Sequence, residues 1–205
     1  SSGVQAYCVI NVTDPEARQA LVPLTGGQQK VADCGAFLVI CGDLRRHKLA
    51  AAMHGSEHRD SLETFLVAIV DASLVAQNMA VALESLGYGI CYIGGLRNDL
   101  HAVDELLGLP PGVLPIYGMC VGTPAEDPAA RPRLAADAVL FDDRYPSDDE
   151  MLERIGRYDA DFERHMEATR GQSGRTWSGG MARLFSDERR PDIAPYYLSK
   201  GADLT

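Results

Sequence analysis

The segment 60–86, DSLETFLVAIVDASLVAQNMAVALESL, constrains the fold of this 205-residue chain more than any other stretch. It contains no helix-breaking residue before Gly87, so it predicts one long helix closed by that glycine. Apolar residues lie nearly all round this helix, which is typical of burial in a large core or an interface. A chain of this length has only an ordinary core, so we predict a dimer interface. Asp71, Gln77 and Asn78 interrupt the apolar run, and we expect no membrane span.

Short apolar runs alternate with helical segments along the rest of the chain, which indicates an α/β or α+β fold around a central sheet. The run AFLVICG at 36–42 is apolar throughout, as in a strand buried on both faces. The polar segment 43–59 predicts an exposed loop. His54 and His58 in that segment have a helical metal-ligand spacing, but we interpret them as solvated loop residues. Further strands are predicted at 4–13, 89–93 and 115–122, and helices at 14–24 (Asp14 as N-cap), 28–34, 98–107 (Asn98 as N-cap), 148–169, 179–186 and 191–200.

Charge and motifs exclude several classes of function. The net charge is −10, which argues against nucleic-acid binding because a phosphate backbone requires a basic face. No phosphate-binding loop, nucleophile elbow or dinucleotide fingerprint is present, and no metal site is expected. A reaction on such a chain would need a cofactor. The cysteines form no C-x-x-C pair, so we expect reduced thiols and a cytoplasmic location; they are Cys8, Cys34, Cys41, Cys91 and Cys120.

Two adjacent glycines end the predicted strand at 89–93. Gly94 and Gly95 carry no Cβ atoms, so a flat ligand could approach the backbone closely at this point. The alternative is a tight strand-to-helix turn in which the glycines serve only the backbone dihedrals. If the first interpretation holds, Gly95→Val should remove the ligand more than it disturbs folding.

Several ordered motifs decide between these alternatives, because together they resemble the flavin-dependent nitroreductase family, in its NADPH-preferring branch of oxygen-insensitive nitroreductases and flavin reductases. The resemblance implies an α+β, nitroreductase-like fold with a central mixed sheet flanked by helices, and an obligate dimer with a long interface helix. It implies one FMN-binding domain over 1–205, in which 148–205 forms a helical extension embracing the partner subunit. The motifs are LTGGQ (24–28), VDASLVAQNMAVALESLG (70–87), YIGGLRND (92–99), GLPPGVLPIYGMCVGTP (108–124), RPRL (131–134) and TW (176–177).

The resemblance also implies which residues bind the cofactor FMN and the co-substrate NADPH. Residues 92–95 would line the flavin, with glycine N–H groups near its N5 and O4 atoms, and Gln28 would bind the pyrimidine edge. Guanidinium groups suit phosphate oxygens. The implied flavin contacts are Ser1, Ser2, Gln28, Tyr92, Ile93, Gly94 and Gly95, with Arg131 and Arg133 at the phosphate; Arg170, Arg175 and Arg190 are implied for NADPH or substrate.

The reaction implied by the resemblance is a ping-pong two-electron transfer from NADPH through FMN to nitroaromatics, quinones or free flavin. No side chain is expected to be catalytic, because the chemistry takes place on FMN. One alternative is a dedicated flavin reductase that supplies reduced FMN to a partner. An alternative of another class is a non-catalytic flavin-binding or structural dimer.

The start of the chain departs from the family pattern. Nitroreductases of this branch open with an H-R-S-x-R cluster that binds the FMN phosphate, and Ser1 and Ser2 match serines that follow it. Because the chain starts with Ser1 rather than methionine, we expect that an upstream segment precedes it in the full protein.

Overall fold

The computed structural model describes residues 3–204 and forms an α+β structure, as the sequence predicted. It divides into two compact units: one extends to Ala125 and resumes at Arg190, and the other comprises Glu126–Arg189. The elements of the first unit are β1 (Tyr7–Val12), α1 (Pro15–Leu24), α2 (Lys30–Asp33), β2 (Ala36–Asp43), α3 (Arg45–Met53), α4 (Leu62–Ser85), β3 (Gly89–Ile93), a 3-10 turn (Gly94–Asn98), α5 (Leu100–Leu107), β4 (Val113–Gly122) and α8 (Ile193–Ser199). Those of the second are a 3-10 turn (Ala136–Ala138), α6 (Asp148–Arg170) and α7 (Trp177–Phe185).

The sheet of the first unit has the strand order β1-β2-β4-β3. All three neighbouring pairs in the described residues are antiparallel, whereas a mixed sheet was expected. Hydrophobic periodicity reports which side of a strand is buried and carries no information on strand direction. The mixed sheet was implied by the family resemblance, and the described strands form no parallel pair.

Each face of the sheet packs against a different set of helices. On one face, Phe37, Val39 and Cys41 of β2 pack with Leu21 and Val22 of α1. On the other face, Ile40 packs with alanines of α4. This alternation along β2 buries the strand on both sides, as its apolar sequence predicted.

Helix α4 begins with a capping box in which Ser61 and Thr64 bond each other's backbone N–H groups. It ends before Gly87, which adopts φ +84°, as predicted. Its buried face is a row of alanines, Ala68, Ala72, Ala76 and Ala80, spaced four residues apart. Small side chains let the helix approach the sheet so closely that a Cβ on Gly42 would lie 3.0 Å from that of Ala68.

The opposite face of α4 exposes a second row of apolar side chains, which we call the α4 stripe. Leu66, Val70, Leu74 and Val81 are each between 48% and 56% exposed. By length and composition alone, α4 could also cross a membrane, although its Asp71 is buried and accepts a hydrogen bond from Ala6 N–H. An exposed apolar row of this kind calls for a partner surface.

The predicted exposed loop at 43–59 is wrong, because residues Arg45–Met53 form α3. The signal lay at Asp43, whose carboxylate accepts a hydrogen bond from Arg46 N–H at 3.1 Å. Three consecutive alanines and several basic residues then favour a helix. Beyond the helix, the His58 side chain is only 14% exposed and lies beside Asp60, so it is not fully solvated.

The prediction of Asn98 as the N-cap of α5 is also wrong, by one residue. The Asp99 carboxylate accepts from Ala102 N–H at 2.9 Å and caps α5, while Asn98 belongs to the preceding 3-10 turn. Both residue types are good N-caps, so the sequence could not choose between them. The end of α5 at Gly108, with φ +61°, agrees with the prediction.

Helix α8 is fixed to the rest of the first unit by buried polar contacts. The Lys200 ammonium donates to both carboxylate oxygens of Asp104 at 2.9 and 2.8 Å and to the Leu109 carbonyl at 2.7 Å. The Tyr197 hydroxyl donates to the Pro115 carbonyl at 2.7 Å. These anchors hold the chain that enters α8 from Arg190.

The second unit is organised by α6, whose Ser147 and Glu150 form a capping box. The Tyr158 hydroxyl donates to the carbonyl of Pro132 at 3.0 Å and so ties the RPR segment to this helix. The Tyr158 ring also meets Trp177 of α7 edge to face at 5.5 Å. Trp177 therefore acts here as a packing anchor.

Candidate functional site

The turn after β3 lies directly against the turn after α1. A Cβ atom on Gly95 would stand 2.3 Å from the carbonyl oxygen of Thr25, a backbone atom that cannot move aside cheaply. Gly95 is therefore required by close packing of two backbones. A side chain at Gly95 would point into Thr25 rather than into open space, so Gly95→Val should disturb folding, and the earlier expectation for this variant loses its basis.

Gly94 stands in a different environment. Its φ lies outside the left-handed region, and a Cβ there would meet only the Arg97 Nη2 atom at 3.5 Å, an ordinary contact. Neither backbone strain nor packing within the described chain requires glycine at this position. The open space beside the Gly94 backbone is what close approach of a flat ligand would use.

Gln28 lies at the same place. Its Nε2 donates to the Thr25 carbonyl at 2.7 Å, and the same atom is 2.8 Å from the position of a Cβ on Gly95. The structure therefore brings Gln28 to the glycine pair, although 66 residues separate Gln28 from Gly94 in the sequence. With Nε2 engaged, the amide oxygen is the remaining group able to accept from a ligand N–H.

Tyr92 and Ile93 point to opposite faces of the sheet because they are neighbours in a strand. The Ile93 side chain is fully buried, so only its backbone could contact a ligand. Tyr92 is 40% exposed, and its hydroxyl lies 3.3 Å from the Ala76 carbonyl and from Gln77 Oε1 of α4. Burial, with Tyr117 nearby, raises the pKa of Tyr92, so its hydroxyl remains a neutral donor.

Two arginines supply positive charge on this side of the first unit. Arg97 donates to the Ile116 carbonyl at 2.7 Å, which fixes its guanidinium beside Gly94. Arg190 has φ +55°, uncommon for a residue with a side chain, and its Nε donates to Asn98 Oδ1 at 3.0 Å. Asn98 in turn lies 3.4 Å from the position of a Cβ on Gly26.

A cavity of about 170 Å³ adjoins Arg190. It is smaller than the roughly 300–1,000 Å³ of most ligand pockets, so it is not by itself a cofactor site. A larger cavity of about 540 Å³ lies in the second unit and contains none of the predicted site residues. The residues that line the smaller cavity are Arg97, Asn98, Asp99, Leu100, His101, Arg190, Asp192, Ile193 and Tyr196.

The remaining predicted arginines belong to the second unit and are exposed. Arg133 donates to the carbonyls of Arg131 and Pro132, both at 3.2 Å, so its guanidinium lies along its own backbone. Arg170 is the last residue of α6, and Arg175 bonds Gln172 at 2.8 Å in the following turn. Ser1 and Ser2 lie outside the described residues.

Sequence reasoning missed Arg97 as a site residue. The sequence could have indicated this residue, because Arg97 is a cation two residues after the glycine pair in a chain of net charge −10. Asn98 was noticed only as a helix cap, and the sequence pattern assigned no role to His101. Their proximity to Arg190 arises from the return of the chain at α8, which local patterns do not encode.

This arrangement of residues is better suited to binding a flat, negatively charged cofactor than to catalysis by a side chain. The backbone at Gly94 is accessible to a planar ring, Gln28 provides a side-chain amide, and Arg97 places a positive charge beside them. Within residues 3–204, no group of three or more His, Cys, Asp or Glu side chains is placed to hold a metal ion. The donors present therefore fit a flavin ring, whose pyrimidine edge carries both N–H and carbonyl groups.

Comparison with known proteins places the chain among flavin-dependent enzymes of one fold. The structure matches NfrA1 nitroreductase from B. subtilis with a TM-score of 0.94 and 39% identity, covering 100% of this chain and 85% of that one. The Nitroreductase family model matches residues 4–123, and the model of the Nitroreductase family C-terminal domain matches residues 131–205. The chain belongs to the nitroreductase family.

Two curated relatives are similar over nearly the whole chain. The FMN reductase (NADPH) of Bacillus subtilis (strain 168) is 40% identical over 206 residues, which cover 98% of this chain and 83% of the relative. The oxygen-insensitive NADPH nitroreductase of Salmonella typhimurium is 41% identical over 203 residues, covering 98% and 82%. The resemblance inferred from the sequence motifs is thereby confirmed.

Proposed function

We propose that this chain is an FMN-dependent NADPH oxidoreductase that catalyses two-electron reduction of nitroaromatics, quinones or free flavin. The observation that carries the proposal is the convergence of Gln28, Gly94 and Arg97, which leaves open backbone flanked by an amide and a cation. Membership of the nitroreductase family supports it, as do the NADPH-dependent activities named for its relatives.

Bound FMN would supply a ring that takes up two electrons from NADPH and passes them to an oxidant. Gln28 would bind the pyrimidine edge of the ring, and the backbone of residues 93–95 would lie along it, with Tyr92 beside it. Arg131 and Arg133 would bind the phosphate of FMN, and Ser1 and Ser2 would contact the flavin. Fork-shaped guanidinium donors match phosphate oxygens.

The contribution of the chain is then position and electrostatics. Arg97 is held rigidly by the Ile116 carbonyl, so its charge is preorganised to favour a negatively charged neighbour at Gly94. The side chains of Gln28 and Thr25 fix the turn against which a ring would rest. None of these groups needs to act as a nucleophile or a general base.

Arg170, Arg175 and Arg190 would bind NADPH or the oxidant. Arg170 and Arg175 are exposed at the end of α6 and in the turn that follows it. Arg190 is held in an uncommon backbone conformation by its bond to Asn98, and such strain is often found at functional positions. An exposed arginine in a turn is well suited to bind the 2′-phosphate that distinguishes NADPH from NADH.

The protein is proposed to act as a homodimer in the cytoplasm, with no nucleic acid or membrane as partner. The α4 stripe supports the dimer, because four large apolar side chains about half exposed call for a covering surface. In this dimer the chain forms one FMN-binding domain over 1–205, and residues 148–205 extend over the partner subunit. Leu152 and Phe185, 64% and 73% exposed, would be covered there.

A second candidate is a dedicated flavin reductase that supplies reduced FMN to a partner. The name of the Bacillus subtilis relative, FMN reductase (NADPH), favours it specifically. The two candidates differ in the oxidant that is used best. Steady-state kinetics with nitrofurazone and with free FMN separate them, because a dedicated flavin reductase should have a much higher kcat/KM for FMN.

The enzymatic proposal is tested by the visible spectrum of the purified protein. We expect yellow protein, or protein that becomes yellow on reconstitution with FMN, and bleaching on anaerobic addition of NADPH. Catalytic oxidation of NADPH should follow when an oxidant is added. A protein that takes up FMN but is not bleached by NADPH would instead be the non-catalytic flavin-binding dimer, and one that takes up no FMN would contradict the cofactor assignment.

Arg170→Ala is expected to raise the KM for NADPH about tenfold to a hundredfold. The physical basis is the loss of a charge-assisted contact with phosphate, worth roughly 1.5–3 kcal/mol. The KM for NADH should change little, and kcat should hold if the contact is equal in the ground and transition states. The matched control is Arg164→Ala in the same helix, whose guanidinium already pairs with Asp161. Equal losses for both nucleotides would mean that Arg170 only orders the turn.

A further inference from the structure

Two cysteines face each other across the β1–β2 ladder. Cys8 lies directly opposite Cys41 in the β1–β2 register, and two residues away from each cysteine Asp43 N–H donates to the Ala6 carbonyl at 2.9 Å. Hydrogen-bonded pairs recur every second residue, so Cys8 and Cys41 form the next such pair, with Cα atoms about 5.5 Å apart. A disulfide spans Cα separations of roughly 4.4–6.8 Å.

The two thiols differ in accessibility. β1 is an edge strand of the described sheet, and Cys8 is only partly buried. Cys41 lies on the next strand inward and is fully buried beneath α1. A reagent therefore meets Cys8 first, and Cys41 is placed to react only with Cys8.

The two thiols also differ in pKa, and the less buried thiol has the lower pKa. The hydrogen bond from the Cys41 thiol lowers the pKa of Cys8, and Arg46 also lowers it, against burial and the Asp43 carboxylate, which raise it. The same contact, together with burial, raises the pKa of Cys41. The Arg46 guanidinium is held near β1 by the carbonyls of Gln5 and Tyr7 at 3.4 and 3.5 Å. The thiolate thus forms on the accessible sulfur, where nucleophilic attack requires it.

We propose that Cys8 and Cys41 form a dithiol that hydrogen peroxide oxidises to a reversible disulfide. The Cys8 thiolate attacks one oxygen of the peroxide, the O–O bond breaks, and a sulfenic acid forms as hydroxide leaves and is protonated to water. The Cys41 sulfur then attacks the Cys8 sulfur, the S–O bond breaks, and the hydroxyl leaves with the Cys41 proton as a second water. Two thiols lose two electrons and one peroxide gains them. A dithiol reductant reverses the bond.

The other facing pair provides an internal comparison. Cys91 lies opposite Cys120 in the β3–β4 ladder. Lys30 Nζ stands 3.6 Å from the Cys91 sulfur, so Cys91 is the natural competitor for peroxide. Burial raises the pKa of Cys120, and its hydrogen bond is with Cys34 rather than with the facing Cys91, so the contact that pairs Cys8 with Cys41 has no counterpart between Cys91 and Cys120.

The experiment maps disulfides in the purified, FMN-reconstituted protein after treatment with a small excess of hydrogen peroxide and alkylation of free thiols. Trypsin leaves Cys34 and Cys41 on one peptide, 31–45, so a Cys34→Ser background removes that ambiguity. We expect a peptide ending at Arg18 cross-linked to 31–45, lighter by two hydrogens and released by dithiothreitol. Cys91→Ser should leave this product unchanged, and Cys8→Ser should abolish it.

A second variant tests the proposal without requiring that the cross-linked peptide be recovered. Cys41→Ser removes the resolving thiol but keeps a hydrogen-bond donor beside Cys8, so Cys8 should accumulate as a sulfenic acid that dimedone traps. Sulfinic acid at Cys8 of the unmutated dithiol without a cross-link would overturn the proposal. So would preferential bridging of Cys91 to Cys120, or the absence of dimedone labelling at Cys8. Activity with NADPH is not part of the readout, so failure of the flavin assignment would leave this result interpretable.

Discussion

Leu74→Glu is expected to convert the proposed flavin-loaded dimer into a monomer without flavin. Leu74 is 54% exposed at the centre of the α4 stripe, so a glutamate there should disturb the isolated subunit little. In the dimer, both copies of the new carboxylate would be buried against apolar surface. Burial of an unpaired charge costs several kcal/mol per ion.

The size of the stripe shows why one charge is sufficient. Its four side chains are about half exposed, and full burial of such a side chain contributes about 1.5–3 kcal/mol. Covering all four in both subunits therefore contributes roughly 6–12 kcal/mol, against an association cost of about 4–15 kcal/mol. The stripe needs help from other contacts, and it has little margin to absorb two buried charges.

Sedimentation velocity with detection at both the protein absorbance and the flavin absorbance measures both consequences together. The matched control is Leu49→Glu in α3, since Leu49 has the same exposure of 54% and lies outside the stripe. A Leu74→Glu protein that remains a yellow dimer would contradict the assignment of α4 to the interface. Wild-type protein that is monomeric in buffer and sediments only with lipid vesicles would assign the stripe to a membrane surface instead.

Gly94→Val is expected to leave the subunit folded and to weaken FMN binding at least tenfold, or about 1.4 kcal/mol. The chain itself has room for a side chain at this position, since a Cβ meets only Arg97 Nη2 at 3.5 Å. A branched side chain would fill the space beside the backbone that the ring needs. Fluorescence titration of the reconstituted protein with FMN measures the affinity, and urea unfolding without FMN measures stability.

Gly95→Ala is the matched comparison, because the two glycines are adjacent and differ in what surrounds them. A methyl group at Gly95 would overlap the Thr25 carbonyl at 2.3 Å, and such overpacking costs about 1–3 kcal/mol of stability or more. Its free energy of unfolding should fall even without FMN. If Gly94→Val destabilised the apoprotein equally, the glycine at 94 would serve the turn and the flavin assignment would lose its main support.

Local sequence determined several helix boundaries at which a cap or a glycine stood. Asp14 and Gly87 do so for α1 and α4, and Gly108 does so for α5. These signals are readable because capping depends on hydrogen bonds and dihedrals within a few residues. Where the same signals were ambiguous, as at Asp43 and Asn98, the predictions were wrong.

The apolar residues all round the helix at 60–86 also predicted a core or interface helix, and the ordered motifs identified the family. Only the tertiary structure showed how these apolar residues are distributed between the two sides of α4. The alanines face the sheet, and the larger side chains face outward. Periodicity could not show this, because both rows are apolar. The small residues face the sheet because close approach of a helix to a strand excludes larger ones.

The two glycines at the end of β3 show most clearly what the sequence could determine and what only the tertiary structure decided. Sequence alone identified YIGG as a place where missing side chains matter, and it could not distinguish Gly94 from Gly95. The distinction depends on Thr25, which is 70 residues away along the chain and is brought within 2.3 Å of a Cβ on Gly95 by the packing of α1. A residue's need for glycine is set by its neighbours in space, and those neighbours are known only once the chain has folded.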